Sequence, residues 1–506
     1  MTAQRHSIRK FIAILISGAL ASKLLGFGRE ILMAQVLGAS LVADGFRGAT
    51  AVVFIPLVFL QNESIPAIMI PMQRDNNRKG DGPRRLAALA IAMAAVAAVI
   101  AVIVEVLGEV WVDAIVGGFT PAGRSLTLDF VRIMSLAMPA SVILNVLASG
   151  EIAVGRTRLT NIRASILNLS VLAGIVVLMA TGEARALAWS FAAAFNGLAL
   201  WGGITLWRDR ELSFAGLTFA AVRGAGVEFF KRLRPLFALP VGEQANGWIE
   251  RLLTSRITTG AVASLDYART LTESALLLVS QPVGLAVLST QGSKDSTRQV
   301  EAIARPVLAL AVPMSAFLVV FAPEIVRLVF FRGAFGEEAV LLTSQALRGI
   351  ALGLWAATLA WILIRVLNGA GRNVAATAII VSAYATNIIV NVLLSRVHAT
   401  GATALLLIAS GESVRSLVML AGVLLCLGSR RRLLGLIGIA LGPAALMLLL
   451  GWQIDHAVTG AVERLLAGGL AYAACAAIAA GLLVPALRDG ALERLGLINR
   501  PKEKCP

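Results

Sequence analysis

Charge is what this sequence most lacks. Only 15% of its residues are Asp, Glu, Lys or Arg, where a soluble globular chain carries about a quarter. Hydrophobic residues make up 58% of the 506, and the mean hydropathy is +0.82. That balance excludes a string of soluble domains. Cysteine and histidine are almost missing too. Cys426, Cys475 and Cys505 lie far apart, as do His6, His398 and His456. Neither set has disulfide or metal-ligand spacing, and which metal, if any, is bound stays unknown from sequence. There is no D-x-D motif, and the longest predicted loop, 208–228, is too short for a catalytic domain, so an enzyme such as a membrane glycosyltransferase is not the reading. The basic start, Arg5, Arg9 and Lys10, precedes an apolar run, but no small-residue cleavage site ends that run, so a removable signal peptide is not expected.

Long apolar runs fill the chain instead. A helical span needs roughly 20 mostly apolar residues, and about 14 segments qualify. They cover 11–36, 42–71, 86–108, 125–153, 159–180, 186–207, 229–258, 265–291, 302–322, 339–368, 374–395, 402–427, 433–452 and 465–486. Polar residues interrupt the first, second, seventh and eighth. The expected fold is an all-α polytopic membrane protein. With the N-terminus inside, cytoplasmic loops and tails hold 27 of the loop lysines and arginines, and the opposite loops hold 6. Such asymmetry predicts an even number of spans with both termini cytoplasmic. The net charge of +16 then faces anionic lipid headgroups and calls for no nucleic acid.

An internal repeat is visible at a shift of 222 residues. Arg29 falls on Arg251, Gly38 on Gly260, Ala39 on Ala261, Asp44 on Asp266 and Arg47 on Arg269, so each copy reads R-x8-G-A-x4-D-x-x-R. The copies are six spans apart and share one orientation, as in duplicated transporters. This predicts two pseudo-symmetric six-helix lobes, residues 1–208 and 209–428. Two extra helices and a basic cytoplasmic tail follow in 429–506.

Charges inside spans cost several kcal/mol and mark either ion pairs or function. The first span carries Lys23, Arg29 and Glu30 beside Gly26 and Gly28, candidate flexing points. The second carries Asp44, Arg47 and the run "QNESIP", with Glu63 and the helix-breaking Pro66. The seventh adds Glu243, Glu250, Arg251 and Arg256, and the eighth Asp266, Arg269 and Glu273. Asp44–Arg47, Asp129–Arg132, Asp266–Arg269 and Glu412–Arg415 all have the i, i+3 spacing of local ion pairs. For Asp129–Arg132 and Glu412–Arg415 that reading is preferred. For Lys23, Arg29 and Arg251 a hydrated cavity between the lobes is preferred. Lys23, Arg29, Arg47, Arg251, Arg256 and Arg269 make such a cavity cationic, and arginine grips phosphate bidentately. The expected substrate is therefore an anion, with phosphate as its charged group. Glu30, Asp44, Glu63, Glu250, Asp266 and Glu273 are the candidate acidic partners or ion-coupling groups.

These same residues resemble a known family. "SKLLGFGREILMAQVLGASLVADGF", Ser22 to Phe46, resembles the first-helix signature of the MurJ/MviN lipid II flippases, SRxLGFxRDxxxAxxFGAGxxxDAF. "ASLDYARTLTE" (Ala263–Glu273), "PEIVRLVFFRGAFGEEAV" (Pro323–Val340) and "RVLNGAGRN" (Arg365–Asn373) are similar to further family segments, in the family's order. The resemblance implies a two-lobed, 14-helix transporter of the multidrug/oligosaccharidyl-lipid/polysaccharide exporter superfamily. It implies alternating access in the bacterial inner membrane and an undecaprenyl-pyrophosphate-linked cell-envelope precursor as cargo, lipid II first. No cofactor is implied; membrane potential, H+ or Na+ is the coupling candidate, and the envelope-synthesis machinery a candidate partner. Lys23, Arg29 and Glu30 fall on the family's charged first-helix positions, Asp44 on its second-helix Asp, and Glu273 on its eighth-helix acid. Lys23 stands where the family has Arg, Arg269 where it has Asp, and "AVVFIPLVFLQNESI" (Ala51–Ile65) lacks the two arginines of the family's run. A different polyprenyl-linked or exopolysaccharide precursor, or a small-molecule antiport, therefore stays open.

Overall fold

A computed structural model describes residues 22–61, 64–234, 237–289, 296–427, 430–484 and 487. The basic N-terminal start, the C-terminal tail and Glu63 lie outside the described residues. Among those described every regular element is a helix. Two compact units are present: Met1–Ala263 with Arg332–Gly336, and Ser264–Phe331 with Glu337–Pro506.

The first unit begins with α1 (22–37), α2 (Leu41–Phe54), a 3-10 turn (Ile55–Leu57), α3 (Val58–Gln61) and α4 (Ser64–Arg78). It continues with α5 (Gly82–Val106), α6 (Gly108–Val116), α7 (Pro121–Met134), α8 (Met138–Ala153), α9 (Arg158–Thr181) and α10 (Arg185–Arg208). Then come α11 (Phe219–Leu233) and α12 (Ala238–Ser255). Local chemistry sets several starts. Ser40, Thr120 and Thr218 are N-caps whose hydroxyls accept from Ala43, Gly123 and Ala221 N–H, satisfying donors a helix start leaves unpaired. Gly182 closes α9 at φ +76°, a left-handed conformation glycine adopts freely. α2 packs on α7, α5 on α8, and α9 on α10.

The second unit holds α13 (Ala261–Ser289), whose first residues belong to unit one, and α14 (Ser296–Val320). It goes on through α15 (Ala322–Phe330), α16 (Glu337–Ala351), α17 (Leu354–Gly369), α18 (Asn373–Leu394), α19 (Gly401–Cys426), α20 (Arg430–Ala457) and α21 (Ala461–Leu483). α19 packs on α16, α17 and α18, while α20 and α21 pack on α14. Phe321, Met447 and Cys475 are buried where α20 and α21 meet that helix pair.

Ten helical stretches among the described residues are long and apolar enough to cross a membrane, or up to eleven with α16 and α17 as one span bent by 46°. The protein is an all-helical, multi-span membrane protein. The expected spans outside that set are the first, seventh and eighth. The structure has helices at all three. However, α1 is described only from residue 22, and α12 packs Glu243, Glu250 and Arg251 into 18 residues. Hydropathy alone does not select such helices. The proline reading changes. Pro66 lies in the first turn of α4, where a missing N–H costs little, and the interior proline of that helix is Pro71. The break in the second span that the structure shows is the 3-10 turn at Ile55–Leu57, which has Pro56 in its first turn.

Candidate functional site

In the first unit α1, α2 and α9 meet at one carboxylate. Glu30 is 4% exposed and takes Arg29 on one oxygen and Arg47 on the other, Arg47 Nη2 at 2.5 Å. Arg29 Nη1 also donates to Asn168 Oδ1 at 3.0 Å, and Asn168 Nδ2 donates to the Ser22 carbonyl at 3.0 Å. Gly26 allows this approach, since a Cβ there would press on the Asn168 amide at 3.3 Å. Gly28 faces open space, and α1 runs unbroken through both glycines. Arg29 thus has one acidic partner, Glu30, and one neutral partner, Asn168. The Arg29 side chain is 30% exposed, so its guanidinium is reachable, and its buried Nε–H has no acceptor among the described residues. A buried donor without a partner is uncommon enough to need a reason. Lys23 is exposed on the same helix.

Asp44 does different work. It is 2% exposed and accepts from Gly260 N–H at 2.6 Å and Ala263 N–H at 2.8 Å. Its carboxylate therefore caps the start of α13, where an acid complements the helix dipole. Gly38 and Gly260, matched by the repeat, both take positive φ, +61° and +86°. The "RGAF" segment closes the end of α1: Ala334 N–H donates to the Gln35 carbonyl at 2.8 Å. Beside Asp44 a cavity of about 260 Å³ is lined by Leu41, Phe119, Thr120, Ser255, Arg256 and Thr258, among others.

The second unit holds a second carboxylate cluster. Glu412 on α19 is 8% exposed; Arg269 Nε donates to it at 2.8 Å, and Arg415 Nη2 lies 3.9 Å away. Arg269 also reaches Asp266 at 3.5 Å, and the Arg415 guanidinium sits over the Tyr384 ring at 5.5 Å, a cation–π placement. The i, i+3 pairs Asp266–Arg269 and Glu412–Arg415 thus form. The expected Asp129–Arg132 pair does not: Asp129 instead binds Arg185 on α10 at 2.7 Å, because an arginine on the neighbouring helix aims directly at it. On α12 Glu250 is buried and Arg251 half-buried, and Glu273 is exposed on α13.

Sequence reading passed over three groups. Asn168, a lone amide in an apolar run, orients Arg29. Arg163 on α9 donates to Asn145 on α8. Buried Glu151 accepts from Arg158 Nε and Leu159 N–H, both at 2.7 Å, and Arg158 continues to Asp209 at 2.6 Å. Among the described residues no group of three or more His, Cys, Asp or Glu stands close enough to hold a metal ion.

A family model described as "Lipid II flippase MurJ" matches residues 33–472. No curated protein matches the sequence. A solved structure described as "Lipid II flippase MurJ, inward closed conformation" is similar in fold, at a TM-score of 0.77 and 17% identity over 93% of this chain and 100% of that one. An inward-facing multidrug resistance MATE family transporter of the MOP superfamily is similar at 0.62 and 12% identity, over 82% of this chain and 95% of that one. A eukaryotic MATE transporter reaches 0.51 at 13% identity, over 85% of this chain and 98% of that one.

Proposed function

The chain belongs to the MurJ lipid II flippase family, and from that premise we propose that it moves an undecaprenyl-pyrophosphate-linked cell-envelope precursor across the bacterial inner membrane. Lipid II is the first cargo to test. The observation that carries this reading is the part-exposed Arg29, whose Nε–H has no acceptor among the described residues. A pyrophosphate supplies an anionic acceptor that suits a guanidinium. Lys23 adds a second cation on the same helix. The binding site opens alternately to each side of the membrane, with both termini on the cytoplasmic side. Membrane potential, H+ or Na+ drives the cycle through acids such as Glu30, Asp44 and Glu273. Arg251, Arg47 and Arg269 supply the remaining cationic field.

A second cargo has one specific support. Lys23 presents a point charge where family members carry a guanidinium fork, and the two second-helix arginines of the family are missing. That favours a head group gripped by fewer bidentate contacts, as in another polyprenyl-linked or exopolysaccharide precursor. The deciding experiment reconstitutes the purified protein in proteoliposomes and follows translocation of lipid II beside other polyprenyl-pyrophosphate sugars. Transport of any of them supports the reading. Transport of none, with organic cations moved instead, overturns it in favour of an antiporter.

A further inference from the structure

We propose that Arg163, held by Asn145, is a second anion site in the first unit, taking the phosphate or pyrophosphate group of a membrane lipid. It rests on the flippase reading only for which lipid is bound.

Arg163 sits in the first third of α9, a helix of mean hydropathy 2.1 by its most apolar window, of which just 17% is buried inside the protein. An arginine in such a span needs a counter-charge, water or a headgroup. Among the described residues its side chain makes one hydrogen bond, to the neutral Asn145 Oδ1. No carboxylate among the described residues lies within ion-pair distance of it. The two acids gathered at the start of α9 are committed elsewhere. Glu151 is taken by Arg158 and the Leu159 N–H, and Asp209 by Arg156 and Arg158. Asn145 uses one acceptor to hold the guanidinium, and it cannot neutralise it. The remaining guanidinium N–H groups therefore present a fixed, pre-oriented cation, the geometry that suits a phosphate oxygen pair.

Position along α9 adds a second point. Asn168, which orients Arg29, lies five residues further along the same helix, a rise of about 7.5 Å. Arg163 is thus about one and a half turns closer to the α9 start than Asn168. The two sites would form successive anion contacts along one helix within one unit.

The test uses the full chain in nanodiscs and two probes, phosphatidylglycerol and undecaprenyl pyrophosphate. Arg163→Gln is expected to weaken binding of at least one of them by about tenfold, the value of one charge-assisted hydrogen bond. Arg163→Lys is expected to recover part of that. Asn145→Asp provides a variant that keeps the arginine and supplies a protein carboxylate to it; it should show the same loss. Loss for phosphatidylglycerol alone makes the site a bulk-lipid anchor, and loss for the pyrophosphate alone makes it a cargo contact; both uphold the anion site. Unchanged binding of both lipids by Arg163→Gln and Asn145→Asp overturns it. Wild-type translocation of lipid-linked sugars is the separate control: if it fails, the flippase reading falls, and the phosphatidylglycerol arm still judges Arg163.

Discussion

Each unit buries one glutamate between two arginines, yet the two clusters are not equivalent. Around Glu30 stand Arg29 and Arg47, and Asn168 is the neutral fourth member. Around Glu412 stand Arg269 and Arg415, but Asp266 is the fourth member and Tyr384 covers Arg415. Arg29 has a neutral amide as its second partner, and Arg269 has a second acid. Buried ion groups contribute little stability beyond what their desolvation costs. An arginine whose second partner is neutral is therefore the better candidate for a ligand, and one set between two acids the better candidate for a structural tie.

The widest gap between them is expected in transport. Arg29→Ala should lower translocation of the lipid-linked cargo roughly a hundredfold, the worth of about two charge-assisted hydrogen bonds. Arg415→Ala should lower it less than about threefold. Proteoliposome rates at matched protein abundance measure both. Equal losses would erase the distinction between the clusters.

Stability should show the next effect. Glu30→Gln removes the carboxylate that Arg29 and Arg47 share, which costs about 3–5 kcal/mol for a buried pair. Glu412→Gln should cost about half as much, because Asp266 still faces Arg269. Thermal unfolding of the two purified variants orders them. A smaller third effect belongs to Asp44→Ala, which uncaps α13 at Gly260 and Ala263 and should cost about 1–2 kcal/mol. If Asp44→Ala melts like wild type while losing transport, the carboxylate acts on ligand or ion and the cap is incidental.

Much of this contrast was legible before the structure. Arg29, Glu30, Arg47, Arg269 and Glu412 stand out as charges in apolar runs, and the i, i+3 spacing of Glu412 and Arg415 foretold their contact. Which helices would share a carboxylate was not legible. Arg47 is three residues from Asp44, and it reaches Glu30 on α1. Arg269 is three from Asp266, and it reaches Glu412 on α19, 143 residues away. Periodicity reports neighbours on one helix; tertiary packing chooses partners on another. The repeat was readable because glycines with positive φ tolerate no common replacement. Asn168 and Asn145 were missed because a lone amide carries no charge to notice and no spacing rule marks it.

The smallest effect lies at the ends of α8 and α10, where the two units again differ. In the first unit Asp209 ties Arg156 and Arg158 together; in the second Glu301 meets Arg432 at 3.1 Å and Arg305 at 3.6 Å. The hydrogen bond from Arg158, helped by the charges of Arg158 and Arg156, holds the Asp209 carboxyl below its ordinary value. A depressed folded-state value means the tie is fully present above the unfolded carboxylate pKa of about 3.9 and is lost as pH falls through the lower, folded value. Asp209→Asn should therefore melt slightly lower than wild type from neutral pH down to about pH 5, with a constant gap. The gap should shrink as the pH falls below about 4, when wild type loses the same charge. Melting curves across that range decide it. A gap that widens on acidification would mean that Asp209 is better placed protonated, and that the α8–α9–α10 junction is held by Glu151 alone.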